Sequence, residues 1–152
     1  LILGQGAFQE IFTVDTFTNY SSSDYNGFRP NPGAKDAFGW NSPAAGVVAD
    51  FTSNRVARRF ASLKEYSAAT GQDRHSVLVD YTDFVKVAAP DPQDPRRFYS
   101  PAEFDFALAP KSKAIDAGVV LPNVNDGFTG KAPDLGAFER GKPMPHYGPR
   151  KE

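Results

Sequence analysis

The sequence lacks cysteine altogether, which excludes disulfide bonds and thiolate chemistry and removes cysteine as a marker of the cellular compartment. It also has no apolar run of the roughly 20 residues that a helix needs to cross a bilayer, so we expect no membrane span. Neither sign of charge dominates, because 17 basic and 18 acidic residues leave a formal net charge of −1. Such a chain has no long-range attraction for a polyanion, and we expect no nucleic-acid partner.

Turn-forming and aromatic residues are abundant by contrast. The 13 Gly and 13 Pro make up 26 of the 152 residues, a larger share than the roughly 12% of average proteins. This composition predicts irregular backbone and no long helix. The 13 Phe, 6 Tyr and 1 Trp provide large rings that either fill gaps between irregular segments or present flat faces to sugar rings.

Local patterns predict several short strands and one short helix. Apolar residues cluster or alternate in four segments that we expect to be strands, residues 7–18, 46–51, 77–87 and 104–108. Ser62 and Glu65 form a capping box, and Gly71 suits the left-handed residue that follows a helix. The sequence therefore predicts a helix from Leu63 to Thr70.

Two polar stretches predict long loops. Residues 19–43 are rich in Ser, Asn, Asp, Gly and Pro, and loops of this length in compact domains usually serve a function. Residues 90–101 contain four prolines, which cannot donate to a central sheet ladder. We expect both stretches to run over the surface.

Three later stretches carry a resemblance to a known family. They read "TGQDRHSVLVDYTDF" (residues 70–84), "FDFALAPKSKAIDAG" (104–118) and "APDLGAFERG" (132–141). Together they resemble the C-terminal turns of right-handed parallel β-helix proteins, the pectate-lyase-like superfamily. Tyr81, Lys113 and Phe138 depart from the pattern, which has Pro, Pro and Tyr there. The resemblance implies an all-β fold, the last turns of a right-handed parallel β-helix with long loops and one short helix.

The same resemblance suggests how the chain is divided. Residues 1–61 would form β-helix turns with a long loop insert, residues 62–141 the final turns, the short helix and a C-terminal cap, and residues 142–152 a polar tail. In the cap, small apolar residues would cover the interior of the solenoid. Asp116, Asp134 and Glu139 would accept backbone N–H groups at sharp turns.

The segment "SSSDYNGFRPN" is the strongest candidate for contact with a substrate. It brings together charge, amide and aromatic groups, as a sugar-binding groove does. We predict catalytic roles for Asp24, Arg29 and Lys35, and substrate contacts from Tyr25, Asn26, Phe28 and Trp40. Hydrolysis would need a second carboxylate, Asp36 or Asp50, and a lyase would use Arg29 or Lys35. The competing interpretation is that these residues only pack the loop.

Two further sites have both a functional and a structural interpretation. Asp126 with Asp134 or Asn125 is a candidate Ca²⁺ site, but "NVNDGFTG" matches the twelve-residue calcium loop poorly and is better explained as a turn. His75 is a general base, a metal ligand or a hydrogen-bonding residue of a bend, and the last interpretation is favoured. No other cofactor is indicated.

The resemblance implies the C-terminal segment of an extracytoplasmic protein that binds or cleaves polysaccharide as a lyase or glycoside hydrolase. Its location would be secreted, periplasmic or cell-surface, with a signal sequence upstream. Its partners would be polysaccharide and either preceding β-helix turns of the parent chain or a second polypeptide. The alternative is a non-catalytic structural or adhesive module, and a free-standing small enzyme ranks below both because no compact catalytic set is visible.

Overall fold

Eight short strands and one helix make up the regular structure of this computed structural model, which describes residues 1–6, 9–43, 47–48 and 58–143. In chain order the elements are β1 (Ile2–Leu3), β2 (Phe12–Val14), β3 (Gly27–Arg29), β4 (Phe38–Trp40), β5 (Arg59–Phe60), α1 (Leu63–Thr70), β6 (Val77–Leu78), β7 (Phe84–Lys86) and β8 (Asp105–Leu108). Short 3₁₀ turns cover Tyr81–Asp83 and Pro101–Glu103.

The strands form three small sheets. Sheet A has the order β1-β3-β6 and is parallel throughout, with Phe28 opposite both Ile2 and Leu78. Sheet B places β4 between the parallel strand β2 and the antiparallel strand β5. Sheet C consists of β7 and β8, which are antiparallel. Strands this short need packing against other elements to be stable.

The predicted all-β, right-handed parallel β-helix is wrong. Within the described residues each sheet has only two or three strands, none closes or continues as a solenoid, and a helix packs against sheet B, so the chain is a small mixed α/β domain. A solenoid requires each turn of the chain to add another parallel strand. After β6 the chain instead makes a 3₁₀ turn and folds β8 back antiparallel to β7, which ends the parallel pairing. Because the described residues form no solenoid, the prediction of a C-terminal solenoid cap is also wrong.

Helix α1 begins and ends where its local sequence signals predict. The Ser62 side chain accepts from the Glu65 N–H and the Glu65 carboxylate accepts from the Ser62 N–H, which completes the capping box. Gly71 ends the helix with φ 74°, a left-handed value that glycine adopts without a steric penalty. The buried face of the helix is Tyr66, which contacts the rings of Phe38 and Phe60.

Two groups of buried residues form the core. The aromatic cluster lies between α1 and sheets A and B and contains Phe28, Ala37, Phe38, Trp40 and Tyr66. The aliphatic cluster contains Val79, Leu108, Ala114 and Leu135. Strand β3 supplies Phe28 to the first cluster while its neighbour β6 leads directly into Val79 of the second, so sheet A connects the two.

The predicted long loop of residues 19–43 contains two strands, β3 and β4, which carry the buried rings of Phe28, Phe38 and Trp40. The apolar residues in "GFR" and "FGW" indicate these two strands, but the polar residues around them made the whole stretch resemble a loop. The proline-rich stretch 90–101 is exposed over most of its length, as predicted. The strand predicted at 46–51 lies mostly outside the described residues, as does most of the predicted tail.

Candidate functional site

The most distinctive polar contact joins Asp24, in the segment before β3, to His75, in the turn after α1. Asp24 Oδ2 lies 2.7 Å from His75 Nδ1, and Asp24 Oδ1 accepts the His75 backbone N–H at 2.8 Å. The Tyr25 ring stacks on the imidazole, with centroids 4.9 Å apart and planes 11° from parallel. The backbone of Tyr25 is in the left-handed region, with φ 55°. A carboxylate that holds Nδ1 orients the imidazole and leaves Nε2 as its free nitrogen.

The pKa of Asp24 lies below its ordinary value of 3.8. Partial burial is the largest single influence and raises the pKa. Hydrogen bonds from the His75 ring, the His75 N–H and the Tyr25 N–H, together with the charge of His75, outweigh that effect. Asp24 therefore stays ionised and keeps accepting these bonds down to acidic pH.

A second set of hydrogen bonds, centred on Asp73, involves neighbours of this pair in the sequence. Asp73 is only 1% exposed and has φ 51°, and its Oδ1 accepts from Asn26 Nδ2 at 2.9 Å and from the Ser76 hydroxyl at 2.7 Å. Asp73 Oδ2 and the Tyr66 hydroxyl have no hydrogen-bond partner among the described residues. Burial raises the pKa of Tyr66 well above its ordinary value, and the nearby Asp73 carboxylate raises it further through its charge and through a polar contact that falls outside ordinary hydrogen-bond geometry. Tyr66 is therefore a neutral phenol.

Arg29 is bound on several sides at the end of β3. Its Nε donates to Asp80 Oδ1 at 2.9 Å, and its Nη1 donates to the Gly4 carbonyl and to Gln5 Oε1. The guanidinium also lies 4.8 Å from the centroid of the Tyr81 ring. Arg29 thus connects the segment after β1 with the segment after β6. Its Nε and Nη1 groups are therefore engaged within the protein.

Asp80 completes this arrangement. Burial is the largest influence on its pKa and raises it, but the Tyr81 N–H and the Arg29 guanidinium together lower it below the ordinary value. Sequence reasoning named Arg29 but missed Asp80 as its partner, which lies 51 residues away. Asp24 and His75 are separated by the same interval. This common interval follows from the parallel register of β3 and β6, which is a tertiary feature.

The other predicted site residues have different surroundings. Phe28 and Trp40 are buried in the aromatic cluster, so their rings face other core residues rather than solvent. Lys35 is exposed, and its backbone N–H donates to the Gln9 side chain at 2.8 Å. Asp36 is half-buried, and Asp50 lies outside the described residues. Of the predicted set, Asp24, Tyr25 and Asn26 are held together through the turn that contains His75.

The acids of the C-terminal region accept backbone N–H groups, as predicted. Asp116 Oδ1 accepts from Lys131 at 2.7 Å, and Asp134 accepts from Asp116 at 2.8 Å and from Arg140 at 2.7 Å. Glu139 accepts from the N–H of Asp134 at 3.1 Å. These bonds hold an irregular segment together without regular secondary structure.

The predicted calcium site gains no support from this geometry. Both oxygens of Asp134 already accept backbone N–H groups, and Asp126 Oδ2 accepts the Asn123 N–H at 3.0 Å. Calcium needs several free oxygen ligands around one point. Across residues 1–6, 9–43, 47–48 and 58–143, no group of three or more His, Cys, Asp and Glu side chains is placed to hold a metal ion.

No family model, curated protein or solved structure matches this chain in comparisons of sequence and structure. Among its described helices, none has the length and apolar character needed to cross a membrane.

Proposed function

We propose that this chain is a non-catalytic structural or adhesive module. The observation that supports this best is that Asp24 and Arg29, two of the three residues predicted to be catalytic, are bonded to other parts of the protein. Asp24 is bonded to His75, and Arg29 to Asp80, Gly4 and Gln5, so each joins segments that are distant in the sequence. In a polysaccharide hydrolase, two carboxylates flank the scissile bond, whereas the partners of Asp24 are an imidazole and two backbone N–H groups.

The test combines activity with stability. The purified chain is incubated with a panel of uronate-containing and neutral polysaccharides, and new reducing ends and unsaturated products are measured. We expect no turnover, and we expect Asp24→Asn and Arg29→Ala to lower the melting temperature because each removes a link between distant segments. Turnover that either substitution abolishes, with the melting temperature unchanged, would replace this proposal by an enzymatic one.

Polysaccharide binding without cleavage is the second candidate, and one observation favours it. The Tyr20 ring is 86% exposed in the same segment as Asp24 and the Tyr25–His75 stack. An exposed aromatic ring offers a flat face on which a sugar ring can stack. A location outside the cytoplasm is part of this proposal, since matrix and cell-wall polysaccharides are found there.

Tyr20→Ala tests the binding proposal by affinity electrophoresis in gels that contain each polysaccharide. Retardation of the wild-type chain should weaken in this variant, while its melting temperature stays the same because the ring is exposed. Phe98→Ala is the matched control, since Phe98 is 98% exposed on the proline-rich loop. Equal loss of retardation in both variants, or none in either, would count against a site at Tyr20.

A further inference from the structure

One edge of strand β6 pairs with no other strand among the residues that the structure describes. This strand is the outer strand of sheet A, and the N–H groups of Val77 and Val79 donate to the carbonyls of Asn26 at 2.8 Å and Phe28 at 3.0 Å. Successive residues of a strand direct their N–H and C=O groups to opposite sides. The N–H and C=O of Leu78 therefore point away from β3, towards the open edge, and the Leu78 side chain is 48% exposed.

This edge borders a cleft of about 530 Å³, within the range of roughly 300–1,000 Å³ that ligand sites occupy. Its wall includes Leu78, Asp80, Asp83, Lys111 and Lys113. The cleft is open to solvent and is bordered by Leu78, the β6 residue whose N–H and C=O point away from β3. Unpaired strand edges of this kind are templates for another chain.

The free charge of the cleft is positive. Asp80 is paired with Arg29 at 2.9 Å. The two oxygens of Asp83 accept the N–H groups of Asp80 at 2.6 Å and Lys113 at 2.9 Å. Both lysines are exposed, and their ammonium groups form no ion pair with any residue that the structure describes. A partner with carboxylates would therefore be complementary to this wall.

We propose that the β6 edge binds an extended acidic peptide segment of a protein partner. The segment adds to sheet A as a strand, pairs its main chain with Leu78 and directs carboxylates to Lys111 and Lys113. An acidic polysaccharide also offers negative charge, but it lacks the alternating donors and acceptors that match Leu78. The inference goes beyond the proposed function, because it names a protein partner and a surface that turnover and Tyr20 binding do not test.

The test measures fluorescence anisotropy of the labelled peptide Thr-Glu-Val-Glu-Thr-Glu-Val-Glu with the purified chain. A peptide with Lys in place of each Glu and an oligomer of a uronic acid are the comparison ligands. The acidic peptide should bind, the basic peptide should not, and added salt should weaken binding. If the basic peptide binds equally well, or the uronic oligomer binds through the lysines and the acidic peptide does not bind, the proposal is overturned.

Variants separate charge from strand pairing. The double variant Lys111→Glu, Lys113→Glu should weaken binding of the acidic peptide by about tenfold or more. Lys64→Glu reverses an exposed lysine on α1 and should leave binding unchanged. Leu78→Pro should abolish binding, since it removes the edge donor but none of the bonds that β6 donates to β3.

A direct measurement on the wild-type chain does not depend on how these variants fold. When the acidic peptide saturates the chain, hydrogen exchange of the Leu78 amide should slow by about tenfold or more. This is the order of protection that pairing with a new strand brings. The Lys64 amide serves as the reference and should not change. An unchanged exchange rate at Leu78 in a saturated complex would rule out strand addition at this edge.

Discussion

Individual polar side chains in this protein act mainly as links between segments that are far apart in the sequence. Asp24 binds the turn after α1, Asp73 holds Asn26 and Ser76, and Arg29 reaches the segment after β1. The bonds of Asp73 and Arg29 are partly buried, whereas the bond between Asp24 and His75 is exposed. A hydrogen bond to a charged group contributes about 1.5–3 kcal/mol in favourable cases, so the set matters to a domain with short strands.

The link between Asp24 and His75 predicts how stability depends on pH. The folded-state pKa of Asp24 is depressed, so the stabilisation is present above its ordinary value of 3.8 and is lost as the pH falls through the lower folded-state value. Thermal unfolding of the wild-type chain from pH 7 to pH 3 should show this acid-side loss. Asp24→Asn should show a smaller decrease over the same interval. Parallel curves for the two proteins would contradict the role assigned to Asp24.

We expect the ring and the hydroxyl of Tyr66 to contribute differently to stability. The ring packs among Phe38, Trp40 and Phe60, so Tyr66→Ala should destabilise the chain by about 3–5 kcal/mol. The hydroxyl has no hydrogen-bond partner among the described residues, so Tyr66→Phe should change stability by less than about 1 kcal/mol. Urea unfolding measures both. A large loss in the Phe variant would show that the hydroxyl is bonded in solution.

At the scale of elements, α1 differs from the strands in what determines it. Its start and end are set by Ser62, Glu65 and Gly71, which act on their own neighbours in sequence. The strands have two to four residues and are defined by partners 20 or more residues away in most pairs. Helix boundaries are therefore a local property of this chain, and strand boundaries are not.

The capping box gives a prediction at this scale. Ser62→Ala removes the acceptor for the Glu65 N–H and should cost about 1 kcal/mol of stability. Ser22→Ala is the matched control, because Ser22 is exposed in the segment before β3. Chemical unfolding followed by far-UV circular dichroism compares the two. Equal stability of both variants would mean that the cap contributes nothing in the folded protein.

At the scale of the whole molecule, the two buried clusters are joined through sheet A. Phe28 on β3 belongs to the aromatic cluster, and Val79, directly after β6, belongs to the aliphatic cluster. Val79 donates its N–H to the Phe28 carbonyl at 3.0 Å. We therefore expect the clusters to unfold together in one cooperative transition.

Trp40 reports on this coupling, since it is the single Trp of the chain and lies in the aromatic cluster. Leu108→Ala leaves a cavity in the aliphatic cluster and should cost about 2–5 kcal/mol. The unfolding midpoint measured by Trp40 fluorescence should fall with it. A fluorescence midpoint that stays at the wild-type value, while circular dichroism shows an earlier loss, would reveal two independent units.

Sequence reasoning recovered the features that depend on near neighbours. The helix from Leu63 to Thr70, the exposed proline-rich stretch and the backbone hydrogen bonds of Asp116, Asp134 and Glu139 were all predicted and are all present. The all-β solenoid was wrong, because local apolar runs do not determine which strands pair or in which direction. Nothing in "FDFAL" distinguishes an antiparallel partner in β7 from a parallel one.

The amino-acid sequence by itself determined the caps, the turns and the supply of buried rings, because these follow from backbone preferences and side-chain chemistry over a few residues. Only the tertiary structure decided that Asp24 meets His75, that Arg29 meets Asp80 and that Phe28 and Trp40 are core residues rather than a sugar platform. The physical reason is register. Pairing β3 with β6 aligns residues some 50 positions apart, and that alignment is chosen by the burial of both clusters at once.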